Sequence, residues 1–168
     1  VEMRGSLCDR CEDYADRFGV EFHAGEKPWG RVKADVYMPC ATQNEIGLED
    51  AKRMIEEGTS KLLIEVANMP TKAEAVEELQ KAGFMIAPSK AVNAGGVAVS
   101  ALEMSQNAMK LSWTEEEVDE KLKKIMKNIF NNIDSAAKKY GMDGNLIAGA
   151  NIAGFLKVAE AMLNEGIF

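Results

Sequence analysis

Asn93-Ala94-Gly95-Gly96 opens a helix-length apolar stretch, and Val97 and Ser100 follow one turn apart on a single helix face. Two glycines near a helix start cost about 1–2 kcal/mol against alanine. A sequence that carries this cost brings bare backbone close to something. The first amides of a helix have no internal partner, so a ligand that reaches them finds free donors. The Ser100 hydroxyl, on a largely apolar helix, needs a hydrogen-bond partner. That partner is either its own helix backbone or, in a crevice, a substrate carboxylate. Asn68 lies between an apolar run and Pro70, where its carboxamide suits a ribose, an amide or an ordinary turn. Thr42, Gln43 and Asn44 follow Pro39 with further donors and acceptors, and plain turn chemistry accounts for them equally well.

No acid, base or nucleophile accompanies these residues. The single histidine, His23, lies far upstream beside a loop rich in glycine and proline. There is no nucleophile elbow, no paired-histidine zinc motif and no G-x-G-x-x-G. Cys8 and Cys11 form a C-x-x-C that, with His23 and Cys40, has the ligand types of a zinc site. Irregular spacing and an odd cysteine count instead favour reduced thiols and no bound metal. A net charge of −7 argues against nucleic acid as a partner. Any phosphate site must then be built locally from backbone amides and helix ends. No apolar run approaches bilayer-spanning length and no signal peptide is recognisable, so a cytoplasmic protein without a membrane partner is expected. The chain opens on Val1, as expected for a processed product or a piece of a longer protein.

The elements that would position these residues alternate. Residues 10–18 read as a helix closed by Gly19, residues 20–23 as a short strand, and residues 25–30 as loop. Strands are predicted at 34–38, 62–66 and 84–87, and helices at 48–57 and from Thr71 to about residue 82. Thr71 and Glu74 have capping-box spacing. Short apolar strands alternating with helices mean a parallel sheet covered on both faces. Ligands on such sheets bind outside the carboxyl ends of the strands. The loops at 40–44, 67–70 and 90–96 all lie there and should face one crevice. The rest is helical. Residues 94–111 are apolar enough for burial on more than one side. Thr114 and Glu117 cap a stripe running from Val118 to Ile133, and residues 145–164 form a last helix. Gly149 and Gly154 in that helix suggest close packing against another element.

The runs PCATQNEI (39–46), EVANMPT (65–71), APSKAVNAGGVAVSALEMSQN (87–107), LSWTEEEVD (111–119) and NLIAGANIAGF (145–155) closely resemble the C-terminal part of glutamate dehydrogenases of the compact hexameric, NAD(P)-dependent type. The resemblance runs nearly end to end. It implies an α/β fold: a partial Rossmann-like parallel sheet of three or four strands flanked by helices, with a C-terminal helical segment. Residues 1–143 would be the second half of the dinucleotide-binding domain. Residues 144–168 would be the helix that returns to the N-terminal catalytic domain. The implied reaction is reversible oxidative deamination of L-glutamate to 2-oxoglutarate and ammonia, with NADP or NAD taking the hydride and NADP slightly favoured. Ala41 and Thr42 would lie near the cofactor, Asn68 at the nicotinamide ribose, and Asn93 at the nicotinamide carboxamide. Val97 and Ser100 would line the glutamate pocket, with Ser100 bonding the side-chain carboxylate. The family's catalytic lysines and aspartate have no counterpart in this chain, so it should be catalytically silent alone and a homo-oligomer, hexameric when full length. The alternative is a non-catalytic oligomerising or binding module derived from that domain, self-associating through an open sheet edge or the last helix.

Overall fold

The computed structural model describes residues 10–166. The elements are α1 (Cys11–Phe18), α2 (Leu48–Glu57), β1 (Leu62–Ile64), α3 (Ala73–Lys81), β2 (Met85–Ala87), α4 (Ser89–Val92), α5 (Ala94–Met109), α6 (Glu115–Lys139) and α7 (Leu146–Glu165). The chain is α/β, a small Rossmann-like parallel sheet with flanking helices and a helical C-terminal segment.

β1 and β2 run parallel, with Leu62, Leu63 and Ile64 opposite Met85, Ile86 and Ala87, and α3 crosses between them. The strand expected at 34–38 contracts to a parallel bridge between Tyr37 and Leu63. Its hydrogen bonds are regular: Tyr37 N–H donates to Leu62 O at 3.0 Å, and Ile64 N–H to Tyr37 O at 2.9 Å. β1 is therefore the central strand. The alternation at 20–23 does not become a strand, since among the described residues it makes only local turn bonds and no ladder with another segment.

One face of the sheet carries the core. Ile46, Met54, Leu63 and Leu79 are fully buried there, with Trp29 and Tyr37 in edge-on contact at 6.4 Å between ring centres. α2 has an apolar stripe with Ala51 and Met54 inward, and it ends at Gly58 in the left-handed conformation. Tyr37 ties this layer to the sheet by donating to Glu57 Oε2 at 3.1 Å. The expected capping box at Thr71 does not form. Thr71 continues the extended chain to bridge Ile46, and the helix starts one residue later, behind Lys72. The box at Thr114 and Glu117 forms reciprocally, with bonds of 2.8 and 3.3 Å.

On the other face α7 crosses α6 closely. A Cβ on Gly149 would stand 2.3 Å from Ile133 O and 3.1 Å from Ala137 Cβ, so only glycine permits this approach. Gly154, by contrast, has nothing within 4 Å and does not serve packing as expected. α5 departs from expectation too. None of its residues is buried: its N-terminal turns touch α6, Leu102 is half-buried, and Val97, Val99, Met104 and Met109 are exposed. α7 is similar beyond Gly149, with Phe155 at 69% and Leu163 at 86% exposure. Among the described residues it is the one helix long and apolar enough to cross a bilayer by length and composition. The sequence reading missed it because Asn151, Lys157 and Glu160 interrupt the apolar run.

Gly149→Ala is expected to lower stability by about 1–3 kcal/mol, since the helices must separate to admit the methyl group. Gly154→Ala should be neutral or stabilising, and urea denaturation of both variants checks the pair. Burial, and then the bond and charge of Glu57, raise the Tyr37 phenol above its ordinary value of 10.0. A raised folded-state pKa gives stability that is present below the ordinary value and lost as pH rises through the folded one. Tyr37→Phe should therefore flatten the decline of stability above about pH 10. Identical slopes in both proteins would contradict this.

Candidate functional site

Three chain segments leave the carboxyl ends of parallel strands, and the structure brings them to one cleft of about 710 Å³. Cys40, Ala41 and Gln43 come from the segment after Tyr37, Asn68 and Met69 from the one after β1, and Ser89, Lys90 and Asn93 from the one after β2. The convergence expected from the alternating pattern is thus present.

Backbone bonds join the first two segments. Asn44 N–H donates to Met69 O at 3.0 Å, Ile46 N–H to Pro70 O at 2.9 Å, and Lys72 N–H to Ile46 O at 2.9 Å. Asn44 and Met69 both hold left-handed backbone, with φ of 55° and 46°. For methionine this conformation costs of order 1–2 kcal/mol, so the loop bonds hold it against a local preference. Side chains join the second segment to the third. Asn93 Nδ2 donates to Asn68 Oδ1 at 2.6 Å. Met69 N–H donates to Ser89 Oγ at 3.4 Å, and Ser89 N–H to the buried Glu65 carboxylate at 3.1 Å. Lys90 Nζ donates to Asn151 Oδ1 of α7, which links the cleft to the C-terminal helix.

The expected residues divide. Ala41, Asn68 and Asn93 line the cleft. Thr42 does not; it is exposed, and its N–H donates to Glu45 Oε2 at 3.4 Å. Val97 and Ser100 lie beyond the cleft on the exposed surface of α5, and Val97 is 70% exposed. Ser100 Oγ donates to Gly96 O at 3.3 Å, its own helix backbone. Gly95 and Gly96 do not open a fresh helix, because α4 precedes them and joins α5 through Asn93. A Cβ on Gly95 would contact Met126 and Leu122 of α6 at ordinary distances, whereas one on Gly96 would meet nothing within 4 Å. The two glycines thus face different surroundings, α6 and open space.

Lys90 comes from the expected rim loop at 90–96, whereas Glu65 and Ser89 were not anticipated. The one sequence signal was a lone carboxylate ending the apolar run Leu62-Leu63-Ile64. The three zinc-ligand candidates among the described residues do not assemble. Cys40 lies in the cleft described above, Cys11 and His23 line a separate one, and Cys8 falls outside the described residues. Among the described residues no group of three or more histidine, cysteine or acidic side chains could hold a metal.

Residues 4–166 match the family of glutamate/leucine/phenylalanine/valine dehydrogenases. The chain is 55% identical over 168 residues to the NAD-specific glutamate dehydrogenase of Clostridium symbiosum, covering 99% of this chain and 37% of that protein. It is 50% identical over 172 residues to the NADP-specific glutamate dehydrogenase of Haemophilus influenzae, again covering 99% of this chain and 37% of that protein. Its fold superposes on the crystal structure of Plasmodium falciparum glutamate dehydrogenase with a TM-score of 0.86 at 45% identity, covering 95% of this chain and 34% of that one. The chain therefore spans little more than a third of the length of these relatives.

Because Gly96 faces open space, Gly96→Ala should stabilise the isolated chain by about 0.5–1 kcal/mol through helix propensity alone. A lowered urea midpoint would mean that this face of α5 is packed.

Proposed function

The chain belongs to the glutamate/leucine/phenylalanine/valine dehydrogenase family, and on that premise we propose that it is the part of an NAD(P)-dependent glutamate dehydrogenase that positions the nicotinamide and the substrate side chain. In this reading residues 1–143 are the second half of the dinucleotide-binding domain, and residues 144–168 return to a catalytic domain. The complete protein oxidatively deaminates L-glutamate to 2-oxoglutarate and ammonia, in the cytoplasm and as a homo-oligomer.

The single observation carrying the proposal is the Asn68–Asn93 pair, two carboxamides 2.6 Å apart at the rim where parallel strands end. The donor set suits a nicotinamide. A carboxamide offers both a donor and an acceptor, and two of them match the amide and ribose hydroxyl groups of a nicotinamide nucleoside. Hydride transfer is the chemistry that a nicotinamide supplies when bound. This chain's share is orientation. Asn93 exchanges its bond to Asn68 for one to the ligand, and the exposed Asn68 carboxamide turns to the ligand or to water. Ala41 contributes a small side chain to the first segment, and Thr42 stands at its outer end. Val97 and the open backbone at Gly96 admit the substrate, and Ser100 turns its hydroxyl from Gly96 O to the distal carboxylate. Neither carboxamide titrates, so acid–base work falls to residues elsewhere in the complete protein.

A second reading, a non-catalytic assembling module, draws on the exposed apolar faces of α5 and α7. In that case the amides of Asn68 and Asn93 would not respond to nicotinamide nucleotides, and the chain would sediment as an oligomer.

Nicotinamide mononucleotide titrated into the ¹⁵N-labelled chain should shift the side-chain amides of Asn68 and Asn93, and Asn93→Ala should weaken binding about five- to tenfold. Glutarate should shift Val97 and Ser100. No NAD(P)H should form from glutamate with the chain alone. Absence of any nucleotide response at Asn68 and Asn93 would defeat the proposal.

A further inference from the structure

Ser89 is the junction of the cleft. Its N–H donates to Glu65 Oε2 at 3.1 Å, its Oγ accepts from Met69 N–H at 3.4 Å, and its carbonyl accepts from Asn93 N–H at 2.9 Å. Its N–H, its hydroxyl oxygen and its carbonyl are thus all engaged, and two of the bonds reach Met69 and Asn93.

Glu65 holds this junction from beneath. Its own N–H donates to Ala87 O at 3.0 Å while its side chain takes Ser89 N–H, so one residue grips the chain on both sides of Pro88. It is 6% exposed. Burying a carboxylate costs several kcal/mol unless its bonds are good, and an apolar strand end would fold without it. A charge-assisted bond to a backbone amide is short-ranged and directional, which suits setting a position.

We infer that Glu65 is a positioning residue for the nicotinamide site: through Ser89 it fixes where Asn93 and Asn68 stand, without touching ligand itself. The inference rests on the nicotinamide reading for its purpose, but the relay itself is a statement about this chain alone. Glu65→Gln keeps an acceptor oxygen at the same reach. Glu65→Asp keeps the charge but falls roughly 1.5 Å short of Ser89 N.

The test is NMR on the 168-residue chain and these two variants, with nicotinamide mononucleotide as probe. In Glu65→Asp the Ser89 amide should lose protection from exchange, and the Asn93 side-chain amide should move to the shift of an unbonded asparagine. Nucleotide affinity should fall about fivefold or more. Glu65→Gln should keep all three near wild type. An Asn93 signal unchanged in Glu65→Asp, or lost equally in both variants, overturns the relay. Ser89→Ala leaves the Glu65 bond intact and removes only the hydroxyl. It should shift Met69 and Asn68 while sparing the Ser89 amide, and unchanged Asn68 signals would again overturn the relay, even if a Glu65 variant fails to fold. If the wild-type chain binds no nucleotide while the Asn93 signal follows the Glu65 variants as expected, the nicotinamide reading fails and the relay stands.

Discussion

Parallel pairing of β1 with both its neighbours is the constraint from which the cleft follows. Tyr37 bonds one side of β1 and β2 the other, and all three run the same way. Their carboxyl ends must then lie along one edge, and each chain must turn away there. Three turns at one edge bring unpaired backbone groups together. The segments after Tyr37 and after β1 satisfy one another by backbone bonds, whereas the segments after β1 and β2 do so through side chains. The first pair is joined as a backbone ladder, and the second by single side-chain contacts.

The helices divide the molecule unequally. α2 and α3 seal one face of the sheet with fully buried Met54 and Leu79. The other face depends on the crossing at Gly149, where backbone meets backbone too closely for any side chain. Past that crossing no residue of α7 is buried, and Phe155, Val158, Met162 and Leu163 are exposed, as are Val97, Met104 and Met109 of α5. Apolar composition predicted burial for both helices, but composition states what a helix can bury rather than what stands opposite it.

The elements legible in the sequence were those set by local signals. α2 begins at Leu48 and ends at Gly58 because a left-handed glycine closes it, and the capping box at Thr114 forms between two residues three apart. Thr71 carries the same signature and fails, since Ile46 claims its backbone from 25 residues upstream. The residues at 20–23 alternate properly but form no ladder among the described residues, and a strand exists only through pairing. The rim was legible in its placement: Ala41, Asn68 and Asn93 all line it. Its internal wiring was not. Glu65 and Ser89 meet across a turn, a helix and a strand, and a glutamate ending an apolar run does not reveal which amide it will reach.

In the proposed reading the cleft is a holder rather than a reactor. Its titratable side chains are engaged elsewhere, the Cys40 thiol donating to Met38 O at 3.3 Å and Lys90 bonding Asn151. The groups that face each other across it are carboxamides, which neither gain nor lose a proton near neutrality. What such a pair can do is discriminate. In the proposed reading it favours a ligand that returns both a donor and an acceptor. A site of this kind contributes to a reaction only by fixing an angle and a distance. In that reading the two carboxamides act only as firmly as the backbone beneath them is held, and that backbone is tied at Ser89 to the buried Glu65 carboxylate.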